Sequence, residues 1–274
     1  MKYSAMYNTF EIAEFLISHG IKIQGNDETK VTYNVLFSQR IHINKSDKEL
    51  MTALHLAAEN NSKETAKVLI SHGIDINERD KLLMTALHFA AKNNCKETVE
   101  FLITNGIDIN ARDKFNRTAL HCAVENNFTE IAKILILHGI DINVRDNLSS
   151  SALYYAVNNN NIEMAKVLIA HGADININDH FGRPILHNRI INGSKEMIEF
   201  LISHNADINA IDKYGKTALH IAVKINRLEI VDILISHGAD LTIKDKNGNT
   251  PLIQAEQFYR KKIKEFLISH GASS

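Results

Sequence analysis

Four stretches decide how this chain folds: "TALHLAAENN" at residues 52–61, "TALHFAAKNN" at 85–94, "TALHCAVENN" at 118–127 and "TALHIAVKIN" at 217–226. The leucine of that phrase stands at Leu54, Leu87, Leu120, Leu153, Leu186, Leu219 and Leu252, each 33 residues after the last. An aspartate keeps the same step at Asp47, Asp80, Asp113, Asp146, Asp179, Asp212 and Asp245. So does the glycine closing "LISHG", at Gly73, Gly106, Gly139, Gly172, Gly238 and Gly271, with Asn205 once in its place. Three markers in register over seven periods specify a repeat architecture.

Each unit reads as two short helices and a projecting turn. In the first full unit Thr52 caps a helix over about Ala53–Glu59, with Leu54, Ala57 and Ala58 on one narrow apolar face. "NNS" breaks it, with Asn61 or Ser62 expected to cap a second helix that buries Ala66, Leu69 and Ile70 beside Val68. Gly73 then supplies the left-handed residue that ends a helix, and asparagine is the best substitute for it. "IDIN" and the "DK" that follows read as an extended, turn-forming finger. Helices this short are marginal alone, below about 12–15 residues, so the pairs must stack and share one aliphatic core. Pro184 and Pro251 both fall near the start of a first helix, where a missing N–H costs least.

These residues carry a resemblance. The "T-A-L-H-x-A-A" runs, "TPL" at Thr250–Leu252 and the "HGADIN" ending at His171–Asn176 make the chain similar to the ankyrin-repeat family over about residues 46–274. The resemblance implies an all-α solenoid of stacked antiparallel helix pairs with projecting hairpin fingers. First helices and finger tips would line a concave face that grips partner proteins. Seven repeats are expected as one continuous domain: 46–78, 79–111, 112–144, 145–177, 178–210, 211–243 and 244–274, the last a C-terminal cap. Residues 1–45 depart from the period, since the equivalents Gly20 and Arg40 are only 20 apart, and they read as a degenerate N-terminal cap.

Composition bounds the function classes. Of 274 residues 45% are hydrophobic and 23% charged, ordinary for a globular chain, and the net charge of −1 gives no nucleic-acid footprint. No apolar run approaches the roughly 20 residues that cross a bilayer, so membrane insertion is not expected. "MKYSAMYNTFEIAEFL" does not read as a secretory signal, because Glu11 and Glu14 interrupt it. Two cysteines, Cys95 and Cys122, are too few for a disulfide framework, so a reducing compartment is expected, cytoplasm or nucleus.

Twelve of the 14 histidines occupy two repeat slots, which invites a metal or catalytic reading. One slot holds His55, His88, His121, His187 and His220; the other holds His19, His72, His138, His171, His204, His237 and His270. Equivalent residues of stacked helices lie roughly 8–10 Å apart, too far to share one zinc ion at about 2.0–2.1 Å. Tyr154 and Ile253 stand in the first slot of two units, a substitution that packing tolerates and a ligand row does not. The first slot is therefore expected to bridge units through both ring nitrogens, and the resemblance implies the same role. The second is expected to complement the dipole at a helix end. No nucleotide-binding, hydrolase, kinase or zinc-protease motif is present, so no enzyme, cofactor or metal is expected.

Information should lie where the units differ. The finger tips read Glu49, Leu82, Phe115, Leu148, Phe181, Tyr214 and Asn247, so five central fingers carry a large apolar or aromatic residue. Either these fold back onto their own finger or they are anchors for a partner. Beside them run Arg79, Met84, Arg112, Arg117 and Arg145, with Lys81 and Lys114, which would favour an acidic partner or else pair with the adjacent aspartates. The expected function is a monomeric protein-binding scaffold; the alternative is an architectural or oligomerising spacer. Leu50, Leu83 and Ser149 replace the glycine of later finger turns, so the early fingers are expected to turn differently. Arg189 in "PILHNRIING" occupies a small-residue slot and is expected to escape to solvent or find an acid.

Overall fold

The computed structural model describes residues 52–71 and 73–273. The expected cap at 1–45, together with His19, Glu49, Leu50 and His72, lies outside the described residues. Compactness divides the chain into two units, one ending at Asn147 and one beginning at Leu148. The first holds α1 (Ala53–Glu59), α2 (Lys63–Ser71), α3 (Ala86–Lys92), α4 (Lys96–Thr104), α5 (Ala119–Glu125) and α6 (Thr129–Leu137). The second holds α7 (Ala152–Asn158), α8 (Ile162–Ala170), α9 (Ile185–Asn192), α10 (Lys195–Ser203), α11 (Ala218–Lys224), α12 (Leu228–Ser236), α13 (Pro251–Gln257) and α14 (Lys261–Ser269). The described residues are helices and turns, with isolated bridge residues at Arg145 and Ser151 and a bridge between Asn178 and Pro184.

Within each unit the first helices of successive repeats pack side by side. Ala57, Ala58, Ala90 and Ala91 are wholly buried, as close packing of small residues requires. Five of the helix pairs turn on a left-handed asparagine, Asn61, Asn94, Asn127, Asn160 and Asn226 taking φ between 54° and 63°, and the last turns on Tyr259 at 56°. Asn61 thus makes the turn rather than capping the second helix, and the N–H of Ser62 reaches back to the Ala57 carbonyl at 2.8 Å. The cap, where it forms, is one residue later: Asn161 accepts from the Met164 N–H and Ser194 from the Met197 N–H.

At the far end Gly73 takes φ +81°, and the N–H groups of Gly73 and Ile74 return to the carbonyls of Ile70 and Leu69. That double closure explains why glycine recurs there. The second-slot histidines sit at the same place. Nδ1 of His138, His171, His204, His237 and His270 lies 2.8 Å from the carbonyl oxygen four residues back, donating to an end that lacks partners.

The recurring aspartate builds the finger. Asp80 Oδ1 accepts the N–H groups of Leu82 and Met84, both at 2.8 Å, while the Leu83 N–H closes the turn on the Asp80 carbonyl. Asp113, Asp179, Asp212 and Asp245 repeat the arrangement. Burial works against the charge at Asp179 and Asp245, but these donors outweigh it and hold both carboxyls below the usual range.

Two expectations are corrected here. Leu83 and Ser149 take φ +58°, close to Gly182 at +71° and Gly215 at +73°, so the early fingers turn the same way as the late ones. At Leu83 the aspartate that saturates the turn holds a leucine in a region costly for side chains. Arg189 neither reaches solvent nor meets an acid: it is 8% exposed. Its guanidinium donates to the Val157 carbonyl at 3.1 Å and to Asn158 Oδ1 at 2.9 Å, which caps the C-terminal end of α7 in the preceding repeat.

Candidate interaction surface

The first-slot histidines are fixed by geometry down to the tautomer. A backbone N–H can only donate and a carbonyl can only accept. His55 Nδ1 takes the Thr52 N–H at 3.0 Å and its Nε2 faces the Met84 carbonyl at 3.1 Å, so Nε2 carries the proton. His88 and His220 repeat this between Thr85 and Arg117 and between Thr217 and Asn249, and His121 Nδ1 takes the Thr118 N–H. The Nε2 links of His55, His88 and His220 each cross from one repeat to the base of the next finger. Burial pushes His55, His88, His187 and His220 below the ordinary imidazole value.

His187 departs from the rule. Pro184 stands where the other repeats have threonine or serine, and it offers neither hydroxyl nor N–H. Nε2 still reaches the Lys216 carbonyl at 2.7 Å, but Nδ1 is buried with no hydrogen-bond partner. The same repeat carries Arg189 and Gly193. The latter takes φ −86° where asparagine elsewhere is left-handed, and a Cβ there would lie 2.5 Å from the Arg189 carbonyl. Among the described residues no three His, Cys, Asp or Glu side chains gather to hold a metal ion.

The fingers project apolar side chains into solvent. Leu82 is 41% exposed, Phe115 47%, Leu148 56%, Phe181 47% and Tyr214 58%. They are half covered rather than folded away, and the cover on the aromatic tips is cationic. The Arg117 guanidinium lies 5.2 Å from the Phe115 ring centre and that of Arg183 lies 4.7 Å from Phe181. Both arginines pair with the finger aspartate of their own turn, Arg117 with Asp113 at 2.9 Å and Arg183 with Asp179 at 2.8 Å.

The remaining candidate contacts divide. Arg79, Arg112 and Arg145 are exposed on the first unit's fingers, with Arg79 Nη1 donating to the Arg112 carbonyl at 3.5 Å and Arg112 Nη1 to Asn116 at 3.3 Å. Met84 is not a surface contact: it is 4% exposed, and its backbone closes the finger on Asp80 and receives the His55 link. Residues outside the expected set also stand out. Arg183, Lys213 and Ile211 lie on fingers five and six of the second unit, and Ile211 falls where other fingers carry Arg79, Arg112, Arg145, Asn178 or Lys244. That break in the repeat was legible in the sequence.

The fingers are laced together within each unit. The Lys114 N–H donates to the Leu82 carbonyl at 2.7 Å and the Lys246 N–H to Tyr214 at 2.9 Å. At their roots Asn77 Oδ1 accepts the Asp108 N–H and Asn110 Oδ1 the Asp141 N–H, each at 2.8 Å. The tips are therefore carried on a hydrogen-bonded frame rather than on free loops. No helix among the described residues is long and apolar enough to cross a membrane.

Comparison with known proteins agrees with this construction. A family model of ankyrin repeats (three copies) matches residues 1–80, 24–113, 108–179 and 174–245. The ankyrin repeat domain of Bcl-3, described as a unique member of the IkappaB protein family, is 28% identical. That match covers 77% of this chain and 98% of the Bcl-3 chain, with a TM-score of 0.71. A comparison with curated proteins gives no significant match. Ankyrin repeats generally mediate protein–protein interaction. With a family model matched along most of its length and the helix pairs, capped histidines and fingers in place, the chain belongs to the ankyrin-repeat family.

Proposed function

We propose that this chain is a non-enzymatic scaffold that binds a partner protein through its finger tips and the adjoining first helices. The observation that carries the reading is the exposure of Leu82, Phe115, Leu148, Phe181 and Tyr214, where the turns of Leu82, Phe115, Phe181 and Tyr214 are held by the finger aspartate through backbone groups. Keeping large apolar side chains in water forgoes burial worth about 25 cal/mol per Å². Nothing in the turn chemistry requires them, since Asn247 serves at the same position. Aromatic side chains backed by arginine are the composition of binding hot spots. The exposed Arg79, Arg112 and Arg145 favour a partner with acidic groups.

The free thiols of Cys95 and Cys122 are buried and pushed up to about 11 and about 12, which makes them packing residues and suits a reducing cytoplasm or nucleus. A photo-reactive phenylalanine analogue at Phe115 or Tyr214 should cross-link a partner in cell extract, while the same analogue at Lys67 on α2 should not. Equal yields from all three positions would contradict the finger-tip reading.

A further inference from the structure

Fingers five and six of the second unit differ from the rest. Ile211 is 54% exposed in a slot that is otherwise polar. Two residues on, Lys213 Nζ lies 5.2 Å from the Tyr214 ring centre and 6.0 Å from that of Phe181 on the neighbouring finger. Among the described residues no carboxylate pairs with Lys213, unlike Arg183 beside it. At the root of the same two fingers is a cavity of about 250 Å³ walled by Ile175, Pro184, Ala206, Ala210 and Ile211. Asp207 is the one acid on its wall, and its Oδ1 is turned back onto the Asn209 N–H.

We propose that the seam between fingers five and six binds an extended segment of a protein partner bearing an apolar side chain and, two residues along, a carboxylate. The proposal rests on the protein-binding reading above. The apolar side chain fills the cavity beside Ile211, and the carboxylate meets Lys213 between its two rings. The spacing follows from geometry: an extended chain rises about 3.3 Å per residue and places residues two apart on one face. Ile211 and Lys213 are themselves two apart, Ile211 on the arm of finger six and Lys213 in the turn that the Gly215 N–H closes on the Asp212 carbonyl. Charge selects the occupant, because Lys213 is a cation that no carboxylate among the described residues pairs with, and a partner's carboxylate can make a charge-assisted hydrogen bond to it.

Panning the purified chain against a phage-displayed random peptide library tests this. Selected peptides should share an apolar residue followed two positions later by Asp or Glu. Binding should weaken about tenfold with Ile211→Ser, and Lys213→Glu should replace the acid by Lys or Arg among the selected peptides. Thermal melts followed by circular dichroism keep only variants that remain folded. Peptides that survive Lys213→Glu unchanged but are lost with Leu82→Ser and Phe115→Ser overturn the seam while leaving the protein-binding reading intact. Failure to select any peptide counts against both.

Discussion

At the residue scale the recurring histidine is a neutral two-ended link, with Nδ1 accepting and Nε2 donating. Protonation removes the acceptor and places a charge in a buried site. Because folded His55, His88 and His220 have values below the unfolded 6.5, the unfolded chain binds more protons as pH falls through that range. Their stabilising contribution is complete above about pH 6.5 and is lost as pH drops toward the depressed folded values. The urea midpoint should therefore fall between pH 7.5 and 5.5, and His88→Gln should flatten that dependence. Leu83 makes a second residue-scale case. A left-handed leucine costs roughly 1–2 kcal/mol, partly offset by the entropy that glycine adds to the unfolded chain. Leu83→Gly should raise stability by about 0.5–1 kcal/mol in urea melts; a loss would mean that the side chain packs more than its exposure indicates.

Among elements, the fifth repeat is where the helix-start rule fails. Pro184 removes the cap that Thr217 supplies to α11, whose hydroxyl accepts the His220 N–H while the Thr217 N–H meets His220 Nδ1. Pro184→Thr should restore both for His187 and stabilise the second unit by about 1 kcal/mol, measurable as a higher urea midpoint. A lower midpoint would show that proline's fixed φ outweighs the cap. The finger is the other element under test. Asp113→Ala strips two backbone N–H groups and Arg117 of their acceptor, a loss of about 2–3 kcal/mol by equilibrium melting. How much of this was legible follows from the range of each interaction. The period, the helix pairs, the glycine ends and the histidine links all act through neighbours that the repeat itself announces. The turn at Leu83 was misread because the buried Asp80 that holds it acts through backbone groups, which sequence does not display. Arg189 was misread because its partners lie 31 and 32 residues back, on the helix end of the previous repeat. Met84 looked like a tip residue by adjacency and is in fact the finger's inner strap.

For the whole molecule, a regular frame carries irregular tips. Threonine, histidine, aspartate, glycine and asparagine recur because each satisfies backbone groups between or within repeats, and substituting them should change stability before binding. The tips vary because the frame does not need them, and substituting them should do the reverse. The most direct measurement is partner recovery by affinity purification with mass spectrometry. It compares the wild-type chain with a variant in which Phe115, Leu148, Phe181 and Tyr214 are all serine, each first shown by circular dichroism to melt alike. The account predicts that the partner is lost from the variant while the melt is unchanged. Recovery of the same partner in equal amount from a folded variant would contradict it.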